Sequence, residues 1–146
     1  MNPHATALAV GRALKANEEL SLVAIYAHDR EVLVDGTDET PAEVILPCVT
    51  VRVQFEGLAG SRRIGKAKVE ITVRSQSDDE DSATHSAREK AVRAVMADIE
   101  GLTDAFDAGE IVALCGLPSL TNNDPDVEAR AYHTPITYVM GVQEIA

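Results

Sequence analysis

Two runs of alternating character constrain this chain more than anything else in it. Val49, Val51, Val53 and Phe55 alternate with Thr50, Arg52, Gln54 and Glu56, and Ala67, Val69, Ile71 and Val73 alternate with Lys68, Glu70, Thr72 and Arg74. Side chains along a strand point to opposite faces in turn, so each run offers one face to a core and one to water. The connection between the runs holds Gly57, Gly60 and Gly65, which suits the tip of an antiparallel hairpin. That tip carries Arg62 and Arg63, the only adjacent basic pair in the chain.

The flanking sequence supplies helices. Asn2-Pro3 opens as a helix start, an Asn able to cap followed by a Pro preset for the first turn, and Ala5, Leu8, Ala9 and Ala13 follow at helical spacing. This predicts a helix over Pro3–Lys15, stopped by Asn17 to Glu19, and a mostly buried strand over Leu20–Tyr26. Ala27 to Pro47 reads as a long excursion broken by Asp35-Gly36-Thr37-Asp38 and Thr40-Pro41. After the hairpin, Ser75 to Ser82 is a polar loop. Thr84 to Leu102 then sets Ala91, Val92, Val95, Met96, Ile99 and Leu102 on one helical face, the principal helix of the chain. Thr103 to Ala108 adds one more turn, Ile111 to Cys115 suits a short strand, and Pro118 to Pro125 is a loop. Tyr132 to Val142 closes the chain as a strand whose start, at Pro135, belongs at an edge or a bulge. The expected class is α+β: a mostly antiparallel sheet with a central hairpin, packed against an N-terminal helix and one long amphipathic helix. Residues 1 to 146 are expected to form a single domain, since no repeat or linker is legible.

Composition narrows the function. With 45% hydrophobic and 25% charged residues the chain is globular, and with 3% aromatics it lacks stacking platforms for bases. A formal net charge of −11 repels nucleic-acid backbones and anionic lipid alike. No signal peptide or membrane span is expected, which places synthesis in the cytoplasm. Cys48 and Cys115 are too far apart in sequence for a zinc pattern and read as free, buried thiols.

No catalytic motif is legible. His4, His28, His85 and His133 sit in four separate neighbourhoods without ligand spacing, no serine lies in a nucleophile elbow, and the glycines joining the strands form no phosphate loop. No metal or cofactor is expected. Asp78, Asp79, Glu80 and Asp81 lack the pattern of a calcium loop and stand where the macrodipole of the following helix stabilises negative charge. Arg62 and Arg63 could grip phosphate or a carboxylate of a neighbouring chain.

The order helix, strand, long loop, hairpin, acidic loop, amphipathic helix and final strand resembles the tail terminator, or tail completion, and minor tail proteins of long-tailed bacteriophages. Leu46-Pro47-Cys48-Val49-Thr50-Val51, Val69 to Ser75, Asp78 to Asp81, Ala87 to Ile99, and Arg130-Ala131-Tyr132-His133 through Val142 carry the likeness, which covers most of the chain in outline. The resemblance implies a virion protein without enzymatic activity. It would form a homo-oligomeric ring, hexameric in that family, which caps the tail tube, ends its growth and offers a docking surface to connector and neck proteins of the head. DNA would pass its lumen unbound, kept off by the acidic wall. Opposite charge nominates Arg62 and Arg63 of one subunit against Asp78, Asp79, Glu80 and Asp81 of the next. Two other readings stand beside it: a neck or head-completion component, and a small enzyme whose site assembles from distant residues such as Asp29, His85 and His133.

Overall fold

The computed structural model describes residues 3–57, 64–76, 82–121 and 133–145. The alternating runs form β4 (Cys48–Gly57) and β5 (Ile64–Arg74), antiparallel over ten residue pairs from Cys48↔Arg74 to Gly57↔Gly65. They lie at the middle of one eight-stranded sheet. On one side of the hairpin come β1 (Ala24–Ala27), β2 (Arg30–Val32) and β3 (Asp38–Glu39), and on the other β8 (His133–Glu144). The outer side of β8 takes β6 (Val112–Leu114) near its end and β7 (Ser119–Leu120) at its middle. Every pairing is antiparallel except that of β1 with β4. The chain is α+β, with a mostly antiparallel, curled sheet.

Among the described residues there are three helices, all on the face that carries the apolar half of the alternation. Helix α1 (Pro3–Lys15) packs across β1, β2 and β4, α2 (Ser82–Ala97) against β5, and α3 (Ile99–Gly109) against α1 and β6. Val10 and Leu14, Val92 and Met96, and Leu102 and Phe106 meet Val49, Val51, Val69, Ile71, Ile136 and Met140 in one buried cluster. Each such large side chain contributes about 1.5–3 kcal/mol of burial, so this layer holds the fold together. The approach of α1 is close: a Cβ on Gly11 would meet Val32 Cγ2 at 2.9 Å.

Several expectations need correction. The first strand begins at Ala24, not Leu20, because residues 16–23 form hydrogen-bonded turns. Asn17 Oδ1 accepts from Glu19 N–H and Leu20 N–H there, and Leu20 and Val23 go inward while Leu22 is 94% exposed. The excursion over Ala27 to Pro47 contains β2 and β3, and the loop over Pro118 to Pro125 contains β7. The single long helix is two. Asp98 leaves helical geometry and caps α3, its carboxylate accepting from Gly101 N–H, and this break turns Ile99 out while Leu102 stays buried. Cys48 is buried as expected, but Cys115 is exposed. Pro135 sits on β8 opposite Thr72, and its nitrogen points to the side where, among the described residues, no strand lies that low on β8.

Candidate functional site

The loop tip with Arg62 and Arg63 and the acidic run Asp78, Asp79, Glu80 and Asp81 lie outside the described residues. Asp29, His85 and His133 are not brought together. Asp29 belongs to the β1–β2 turn, 3.9 Å from His4, whose ring stacks obliquely on that of His28. His85 is on α2 beneath the sheet, whereas His133, paired with Arg74, is one residue from Thr134 and so on the opposite face.

His85 instead anchors a polar network that the sequence did not announce. Its Nδ1 is 2.8 Å from Ser75 Oγ, and its Nε2 is 2.9 Å from Thr134 Oγ1 and 3.0 Å from Glu89 Oε1. Arg88 Nη1 donates to Ser75 Oγ at 2.9 Å, and Thr134 Oγ1 donates to Glu89 Oε1 at 2.6 Å. With the ring neutral and the Thr134 proton committed to Glu89, Nε2 carries the hydrogen and Nδ1 accepts from Ser75. Donors then run in one direction, from Arg88 through Ser75, His85 and Thr134 to Glu89, a cation at one end and a carboxylate at the other. Attack by Ser75 on a substrate would need access from solvent, and only 6% of the residue is exposed. The wiring is that of a staple joining the end of β5, the first turns of α2 and the start of β8. Only Glu89, one turn after His85, offered a signal in sequence.

A second polar seam ties the helices together. Arg12 donates from Nε and Nη2 to Ala105 O, at 3.3 and 3.0 Å, and Lys15 Nζ donates to Val23 O at 2.7 Å. Burial pulls the Arg12 and Lys15 pKa values down, offset in part by Asp38 and Glu31 respectively. Beside Arg12 an open recess of about 430 Å³ is lined by Asn17, Val95, Asp98 and Asp104 among others. Another, of about 260 Å³, lies between Lys66, Cys115, Leu117 and Val139. Neither recess gathers a histidine or a nucleophile paired with a base. Among the described residues no three His, Cys, Asp or Glu side chains converge as metal ligands, and no helix is long and apolar enough to cross a membrane.

The remaining candidate is the outer face of the sheet. On β4, β5 and β8 it carries Arg52, Lys66, Lys68 and Arg74 against Glu56 and Glu70, a local excess of positive charge on a chain of net charge −11. Near β1 this face is covered: Ala24, Tyr26 and Cys48 form a small buried cluster beneath residues 43–46. Tyr26 Oη donates to Glu43 O at 3.4 Å and accepts from Ile45 N–H at 3.1 Å, while Gln76 Nε2 donates to Leu46 O at 3.0 Å. Burial pushes the Cys48 thiol pKa up, with Arg74 opposing. Beyond that strap, Arg52, Gln54, Glu56, Lys66, Lys68 and Glu70 are exposed. No protein-family model matches the sequence, and no curated protein matches it.

Proposed function

We propose that this protein is a structural subunit of a bacteriophage tail, a ring-forming terminator of the tail tube, as its resemblance in element order implies. The observation that supports it is the one-sided layering of the sheet. A domain whose described residues cover one sheet face with three helices and leave Arg52, Gln54, Glu56, Lys66, Lys68 and Glu70 of the other exposed has its uncommitted chemistry on surfaces, where a neighbouring chain would find it. In this reading identical subunits engage head to tail, each using one patch against a different patch of the next, until the rotation closes. The closed ring offers the tube one face and the head-side connector another, so tube growth stops where the ring sits. Its net charge of −11 per subunit keeps the lumen from adhering to passing DNA.

The test is the mass in solution and the length of tubes. Light scattering should give a ring of about six protomers of 15.6 kDa each. Added to polymerising tail tube subunits, the protein should cap tubes and shorten them. A monomer at every concentration, with tube lengths unchanged, would defeat the reading.

A further inference from the structure

At the hairpin end the sheet narrows to four strands, in the order β4, β5, β8, β6, each antiparallel to the next. Gly57, Gly65, Val142 and Leu114 share one row across it. Strand β1 no longer flanks β4 there, since its register ends at Ala27↔Val51. Both borders of this half are therefore strand edges, and among the described residues no strand pairs with either.

The backbone groups on these borders follow from alternation. Val51 O accepts from His28 N–H, so the odd residues of β4 turn their N–H and C=O groups away from β5. Val53 N–H is taken by the His28 ring at 3.2 Å, which leaves Phe55 and Gly57 facing outward. At β6, Cys115 N–H donates to Gly141 O of β8 and Ile111 O accepts from Ile145 N–H just past the end of β8, so Val112 and Leu114 face outward. Edges of this kind invite another strand, and natural proteins blunt or use them.

We infer that the β6 edge of one subunit pairs with the β4 edge of the next, residues 112–114 against residues 53–57, so that the four-stranded sections join into one continuous sheet around the ring. This rests on the ring reading and specifies its joint. The occupant is a second copy for two reasons. An antiparallel section of four strands has its border strands running in opposite directions, so copies in the same orientation about a common axis meet antiparallel at every joint. Phe55 and Leu114, one near each border and both on the helix-side face, are partly buried hydrophobics at the margin of the same core. The joint sets them side by side and each covers what the other leaves bare.

A disulfide ladder tests this. Phe55→Cys and Leu114→Cys are introduced together in a Cys115→Ser background. Within one chain the two positions are separated by β5 and β8, about 14 Å over three strand spacings, beyond the reach of a disulfide. Mild oxidation of the double variant should give covalent multimers up to the closed ring on a non-reducing gel, whereas either single variant, with no thiol across the joint, should stay monomeric on that gel. Leu114→Pro provides a second measurement: it removes an outward N–H that no internal ladder uses, so the protomer should stay folded by circular dichroism while the concentration needed for assembly rises at least ten-fold. A ring that forms normally, gives no ladder and ignores the proline overturns the joint and leaves the ring intact. A wild-type protein that never leaves the monomer overturns both.

Discussion

The two halves of the sheet are built to different ends. In the half around Cys48, Arg74 and His133, β1 flanks β4, residues 43–46 are strapped over the outer face by Tyr26, and the Ser75–His85–Thr134–Glu89 network pins α2 from below. In the half around Gly57, Gly65 and Val142 the helix-side core continues, but the outer face is a row of solvated Arg, Lys, Gln and Glu. The same two strands run through both halves. Among the described residues, the difference therefore lies in what the segments around β4, β5 and β8 deposit on them.

Cutting the staple should reveal the largest part of that difference. Replacing His85 with leucine keeps the volume and removes the bonds to Ser75 and Thr134, each worth about 1 kcal/mol, with an added penalty for buried hydroxyls left short of partners. His85→Leu should lower stability in urea by about 2–3 kcal/mol. Thr134 and Ser75 keep Glu89 and Arg88 respectively, which holds the loss below that of a core truncation. A loss under about 0.5 kcal/mol, the range of an ordinary surface substitution, would mean that the network does not hold the closed half.

A milder cut loosens only the strap. Tyr26→Phe deletes one hydroxyl that both donates to Glu43 O and accepts from Ile45 N–H, at a cost of about 1 kcal/mol. Hydrogen exchange at Ile45 should rise well beyond what the global loss explains, because among the described residues this amide bonds to that oxygen alone. Unchanged protection at Ile45 would show that the strap is held by something other than Tyr26.

The legible parts of this fold were those whose physics is periodic. The hairpin was readable because alternation from Val49 to Phe55 and from Ala67 to Val73 decides both strand identity and facing, and α1 was readable from its start signal at Asn2-Pro3. Leu20 to Tyr26 misled because a continuous apolar run does not say which residues are strand. Asn17 drew the first of them into turns, and only Ala24 onward reached β4. The break at Asp98 was hidden because Ile99 and Leu102 kept the helical period across it. An Asp followed three residues later by a Gly is a cap only if the chain turns there. The polar network was hidden for a different reason: Ser75, His85 and Thr134 are distant in sequence and each is unremarkable alone, so only the packing of α2 under the start of β8 makes them one feature. Cys115 was read as buried because free cysteines mostly are, yet it follows the last residue of β6 and is exposed.

The smallest expected effect sits on the border between the halves. His28 has a left-handed backbone (φ 53°) that ends β1 and aims its ring at β4, where Nε2 accepts from Val53 N–H. That bond needs an unprotonated Nε2. Desolvation first, then the positive charges facing the ring from His4 and Arg52, hold the His28 pKa below its ordinary 6.5, while Asp29 opposes them. Because the folded value is the lower one, the unfolded chain binds more protons between the two values, and stability rises with pH across that interval. The stabilisation is complete above the ordinary histidine pKa and declines as pH falls below it. Once His28 is protonated, Val53 N–H loses its acceptor and the open edge of β4 lengthens by one residue toward β1. The protection factor of the Val53 amide, corrected for the intrinsic pH dependence of exchange, should therefore fall below pH 6.5 while that of Val51, inside the span flanked by β1, stays level. If the two amides changed together, the border between closed and open sheet would not lie at His28.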